Sequence, residues 1–281
     1  DTLSDDPRGK KAVLAMLETK HIVEGNPQFE EENELFLETA AELGKPAITT
    51  YEDLILANPP NDGVMRVMSS EPRMAAEEAF FYRGHQIIEK DLYAAVDILL
   101  RFSPESSDAA LTKEDEAVLL EHLTGAVKSM DAMHDKLDFG EFSKFRPYFT
   151  KDINGFVDRG PSGLYSETIP IIDMLVQGRD NLNEVEQARM KSALEMGLYP
   201  DDIESGVAFR SLLEIEDPRV NMSDFARKKA VTKLNGFRGV HKRSIKKYLP
   251  DVYEGKEKGS GSDSPVVGYV NSKFSPPRIG S

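Results

Sequence analysis

The chain has 281 residues and contains no cysteine, no tryptophan and only five histidines. Without cysteine there is no disulfide scaffold, cysteine-ligated zinc, iron–sulfur cluster, thiolate-ligated heme or thiol nucleophile. Whatever chemistry exists rests on the histidines, the carboxylates or a cofactor. Long apolar runs are also lacking, and none approaches the roughly 18–20 residues of a membrane-spanning helix. The first residues read DTLSDD instead of a basic and then apolar leader, so the expectation is a cytoplasmic protein that meets no membrane. Positive charge is the minority sign, with 35 Lys plus Arg against 49 Asp plus Glu and a net charge of −14. That balance opposes non-specific binding to nucleic acid. The same acids also serve as an ordinary solvated surface.

What the chain does have is helical periodicity. Hydrophobic residues make up 40%, enough for a sizeable core, and clean period-2 alternation is rare. The predicted fold is therefore all-α. Helices are expected over residues 7–23, 28–43, 51–57, 72–102, 113–137, 164–176, 182–196, 201–215 and 223–248, with Ser223 as an N-cap. Gly, Pro and aromatic residues break up the stretch 138–163. With no internal repeat and no long linker, residues 1–281 are expected to form one domain. Residues 1–60 supply N-terminal helices, 72–250 the core, and 251–281 a loop-rich tail.

Two apparent motifs fall away. GSGSDS (259–264) has neither the following Lys-Ser or Lys-Thr nor the preceding strand of a P-loop. DKLDFGEF (135–142) lacks the alternating acids and the bidentate Glu of a calcium loop, and reads as a helix end and turn.

Three segments carry more information. In the long helix Phe81, His85, Ile88, Leu92 and Leu99 form one stripe, which turns His85 inward. Such a histidine is either a neutral core residue bonded to a backbone carbonyl or a distal group able to accept a proton from substrate. In the last strong helix Leu234, Phe237, His241, Ile245 and Tyr248 form a second stripe, with Arg238 one turn before His241. Gly236 and Gly239 flank it, each costing about 1 kcal/mol relative to Ala, and room for a flat ligand is one reason to place them there. A neutral imidazole with an Arg one turn away suits an iron porphyrin, and also a histidine packed between helices. In EFSKFRPYF (141–149) Arg146 lies among Phe142, Phe145, Tyr148 and Phe149, as a stacked structural residue or a carboxylate clamp.

Taken in order, these segments resemble the superfamily of histidine-ligated heme-dependent dioxygenases typified by tryptophan 2,3-dioxygenase and indoleamine 2,3-dioxygenase. EEAFFYRGHQIIEKDL (77–92) is similar to the segment carrying the distal histidine, which implies that role for His85 and a pocket aromatic at Phe81. EFSKFRPYF resembles the segment that binds the substrate carboxylate, implying Arg146 as clamp and Phe142 as pocket wall. GPSGLYSETIPIIDMLVQG (160–178) is similar to the loop and helix in which Ser162 and Gly163 would approach the heme edge. There Asp173 takes the position of the acid that pairs with the proximal Arg. LNGFRGVHKRSIKKYL (234–249) resembles the proximal helix, with Arg238 as that Arg and His241 as iron ligand. The Gly-Ser tail resembles the loop over the substrate, implying contacts from Gly261, Ser262 and Asp263.

The tail departs from the Gly-Thr-Gly-Gly of the tryptophan enzymes. Glu141, Glu167 and Asp263 add acids where the dioxygenases are often neutral. The chain is more similar to the divergent biosynthetic branch, with its heme-dependent tyrosine hydroxylases and the ring-rearranging enzyme of pyrrolnitrin synthesis. The resemblance implies a helical bundle around heme b (iron protoporphyrin IX). It also implies oxygenase, hydroxylase or desaturase chemistry on a free aromatic amino acid in secondary metabolism, with O2 or H2O2 as oxidant, and a homo-oligomer. The extra acids leave a cationic amino acid such as arginine as an alternative. A heme carrier or an acidic interaction module is the non-catalytic alternative.

Overall fold

The computed structural model describes residues 6–19, 27–44, 51, 55–56, 58, 65, 67, 69, 71–104, 109–145, 166–179, 182 and 215–254. Among them the fold is all-α and contains no strand. The helices are α1 (Pro7–Thr19), α2 (Pro27–Leu43), α3 (Pro72–Arg101), α4 (Lys113–Lys136), α5 (Phe139–Phe145), α6 (Thr168–Gln177), α7 (Asp224–Tyr248) and the single turn α8 (Pro250–Tyr253). The helices expected over 182–196 and 201–215 lie outside the described residues, apart from Leu182 and Ile215.

Local chemistry sets most ends. Glu71 caps α3 by accepting from the amides of Arg73 and Met74, ahead of Pro72, which lacks the donor a first-turn position would orphan. Thr112 and Asp115 close a capping box on α4. Ser223 caps α7 and also donates to Glu116 of α4 through its own amide (2.6 Å) and hydroxyl (2.8 Å). Two expected boundaries are corrected. α6 starts at Thr168 instead of residue 164, because Pro170 is tolerated only in a first turn. The stretch after 138 is not all turn: the Asp138 carboxylate accepts from the Glu141 amide at 3.0 Å and starts α5.

Four helices build the centre. α4 and α6 each pack against both α3 and α7, whereas α3 and α7 share at most slight contact. They therefore stand diagonally across the bundle, with α4 and α6 between them. One apolar cluster fills this bundle with Ile88, Leu92, Leu99, Leu123, Ile171, Ile172, Leu175 and Leu234, among others. A second joins Ala12, Val13, Phe36 and Ala40 of α1 and α2 to Tyr51, Tyr82, Phe142 and Tyr248. Phe80 and Phe81 pack against both clusters, so the His85 region lies at their seam.

Two glycines set how closely α3 and α4 approach. A Cβ at Gly84 would lie 2.8 Å from the Met133 sulfur, and one at Gly125 would overlap the Asp91 carboxylate, which His122 Nδ1 holds at 3.1 Å. The expectation for Gly236 and Gly239 is corrected. Both lie on the outward side of α7, where an added Cβ meets only Val127 at 3.9 Å or nothing. Gly125→Ala should therefore lower stability by about 1–3 kcal/mol, while Gly239→Ala should raise it by up to about 1 kcal/mol. Urea unfolding midpoints of the two variants check this, and a shift in the same direction for both would contradict it.

Candidate functional site

The site is built on the facing sides of α3 and α7. Gly84 of α3 abuts Met133 of α4, and the next α4 residue, His134, bonds Ser244 of α7 at 3.0 Å. His85 and His241 thus sit at the same level of the bundle. On α7, Arg238 faces α6 and Ser244 faces α4, and His241 falls between these two directions. That aims its ring into the space between α4 and α6, toward α3. On α3, His85 falls likewise between Gly84, which faces α4, and Glu89, which faces the start of α6.

Both residues are part-buried. We call the part of the bundle interior that they border the recess. Burial pushes the His85 pKa down to about 4, and the nearby His241 adds to the shift. Burial lowers His241 as well. Both rings are therefore neutral at pH 7.

Their hydrogen bonding differs. His85 Nδ1 lies 2.9 Å from the Phe81 carbonyl, an atom that only accepts, so Nδ1 carries the proton and Nε2 presents its lone pair. This is the carbonyl partner expected of a core histidine, with the second nitrogen left over. His241 makes no hydrogen bond among the described residues. A neutral imidazole keeps one nitrogen lone pair, which can bind a ligand.

Around His85 the wall is aromatic. The Phe81 ring lies 4.2 Å from His85 and 5.5 Å from Phe142, and Phe142 lies 5.3 Å from Tyr248 at the end of α7. Tyr51 presents an edge to His85 at 6.2 Å. Beside His241, Arg238 is paired with Asp173 of α6, both side chains nine-tenths buried or more. The second Asp173 oxygen accepts from Gln177 at 2.9 Å.

The structure thus gathers Phe81, His85 and Phe142 on one side and Asp173, Arg238 and His241 on the other. Arg146, Ser162, Gly163, Gly261, Ser262 and Asp263 lie outside the described residues. His122 and His134 are engaged elsewhere, with Asp91 and Ser244. Of the extra acids, Glu141 is neutralised by Lys144 at 3.0 Å and Arg73 at 3.5 Å. Glu167 is buried, and Tyr93 donates to it. Among the described residues no three His, Asp or Glu side chains come together as a metal cage.

Sequence reasoning missed Tyr51 and Glu89. Glu89 follows His85 by one turn, is 5% exposed, and accepts from Tyr51 (3.2 Å), Ser166 (3.0 Å) and Thr168 (2.9 Å). Burial raises its pKa from 4.5 to about 7, and the nearby Glu167 adds to that. The available signal was an acid on the inward stripe of α3.

These shifts fix a pH response. Folded Glu89 holds its proton up to about pH 7, while the unfolded chain releases it near 4.5, so its stabilisation is complete below pH 4.5 and lost by pH 7. His85 runs the other way: its contribution is complete above pH 6.5 and lost as pH falls through 4. Each swing is about 3 kcal/mol, so the two oppose one another between pH 4.5 and 6.5. Glu89→Gln should leave the histidine limb alone and make stability rise with pH in that window. Unfolding midpoints at pH 5, 6 and 7 check this, and an unchanged profile would contradict it.

No family model matches the chain, and no curated protein matches it.

Proposed function

We propose that the recess holds a heme and that the protein is a heme-dependent oxidoreductase acting on a free amino acid. The observation that carries this reading is His241: a neutral imidazole with no hydrogen bond among the described residues, on the inward face of α7 and near a second neutral histidine on α3. An iron porphyrin needs a single axial imidazole from the protein, so one such histidine fits it. Asp173 holds Arg238 one turn away, where its guanidinium suits a propionate. The bound heme would supply activation of O2 or H2O2.

The chain's own residues account for the rest. Phe81, Phe142 and Tyr51 make a dry aromatic wall on the His85 side, which fits an aromatic side chain. His85 keeps its proton on Nδ1 and offers Nε2 to take a proton, or a hydrogen bond, from substrate. Arg146 is proposed to hold the substrate carboxylate, which would fix orientation and remove much of the entropic barrier. One observation favours a second substrate class: Glu167 is buried near Glu89, and among the described residues no Lys or Arg pairs with either. A cationic amino acid such as arginine would answer that charge. Secondary metabolism, a cytoplasmic setting and a homo-oligomer remain part of the proposal. Among the described residues, no helix is long and apolar enough to cross a membrane.

The test is a panel of free amino acids added to hemin-reconstituted protein, read as shifts of the heme absorption band and as turnover with O2 or H2O2. An aromatic amino acid should shift the band and be oxidised. His85→Ala should keep the heme and lose about 10²–10⁴-fold in rate. Heme that binds but answers to no amino acid would favour the carrier reading, and response only to arginine or lysine would favour the cationic class.

A further inference from the structure

The hydrogen bonds around Glu89 can be counted proton by proton. Its Oε2 lies 3.0 Å from Ser166 Oγ and 2.9 Å from Thr168 Oγ1, and those two hydroxyls lie 2.8 Å from each other. Three contacts close a triangle of three oxygens. Each contact needs one hydrogen, and each hydroxyl has one to give. With both hydroxyls donating to Oε2 the Ser166–Thr168 edge holds no hydrogen, whereas a proton on Glu89 supplies one hydrogen for every edge.

The surroundings agree. From α3, Tyr93 and His85 are the titratable groups on this side. From the segment before α3 comes Tyr51, whose hydroxyl donates to Glu89 Oε1 and which burial keeps protonated. From the start of α6 comes Glu167, a like charge. Among the described residues no Lys or Arg contacts Glu89, and burial outweighs the three hydroxyl donors, whose hydrogen bonds favour the carboxylate. Two adjacent buried carboxylates without a cation cannot both ionise cheaply, so one retains a proton.

We propose that Glu89 carries a proton in mildly acidic solution and that this proton clasps the start of α6 to the histidine-bearing face of α3, so that ionising Glu89 as pH rises through neutrality releases that wall of the recess. The clasp lies where it matters for the site. On one side Glu89 fixes Tyr51, whose ring borders His85. On the other it fixes Thr168, the first residue of α6, and the same helix carries Asp173, which anchors Arg238 one turn from His241. Ionisation removes the hydrogen that closes the triangle and places a second charge beside Glu167. The inference stands on these contacts alone and holds whether or not the recess takes a heme.

Carboxyl-¹³C glutamate labelling of the full chain, followed by NMR across pH, reads the proton directly. One glutamate side chain should titrate with a midpoint of about 7. That resonance should be absent in Glu89→Gln, and its midpoint should move down in Glu167→Gln, which removes the neighbouring charge. Hydrogen exchange of peptides covering residues 166–177 should quicken above the midpoint in the wild type and stay level in Glu89→Gln. If every glutamate titrates in the ordinary range, or the high resonance survives Glu89→Gln, the proton is not there. If α6 exchange ignores the midpoint, the proton is no clasp. Should Glu89→Gln fail to fold, the Glu167→Gln shift still decides: a lowered midpoint upholds the pair, and an unmoved one overturns it.

Discussion

Asp173→Ala should destabilise the chain by about 3–5 kcal/mol. The side chain of Asp173 is 1% exposed and that of Arg238 is 10% exposed, so removing the acid takes away the carboxylate that balances a buried guanidinium. Truncating one member of a buried pair does far more damage than replacing both. Asp173→Ala combined with Arg238→Met, which removes the charge and keeps most of the volume, should therefore recover much of the loss. Urea unfolding of the single and double variants measures this. A double variant no more stable than the single one would show that the lost charge balance is not the cause. The pair also ties α6 to α7 one turn from His241, so the single variant should distort the recess and the double variant less so.

The helices were legible wherever a side chain ends them. Ser223, Thr112 and the Pro72 turn mark starts that local chemistry dictates, and the inward stripes of α3 and α7 follow from helical period alone. Misreadings arose where two signals competed. Asp138 and Glu141 spell the start of a helix, but the neighbouring Gly140 and Phe139 read as a turn. Pro170 inside an apolar run forbade the early start assigned to α6.

The site divides in the same way. Both histidines stood out on their stripes, yet their common level in the bundle depends on how α3 and α7 align along α4. No local pattern carries that alignment. Tyr51 reaches Glu89 from a different segment, a tertiary contact invisible in either stretch alone. The Asp173–Arg238 pairing implied by the family resemblance forms in the structure as a buried ion pair, and the role given to it at a propionate belongs to the proposal.

The second large effect concerns His241. Its imidazole has no hydrogen-bond partner among the described residues, so His241→Ala strands no neighbour, and its fold should survive. Ala places a small apolar group where the proposal needs a lone pair, and no other histidine among the described residues offers a replacement from α7. His122 and His134 are held by Asp91 and Ser244, and His85 extends from the opposite helix. Loss of axial ligation should therefore abolish tight, stoichiometric heme binding while leaving the helical content unchanged by circular dichroism.

The most direct test is a hemin titration of the purified chain followed at the Soret band, with His241→Ala beside it. The account predicts saturation at one heme per chain in the wild type and no saturable Soret species in the variant. A wild type that develops no Soret band, or a variant that saturates at the same stoichiometry and position, would contradict it.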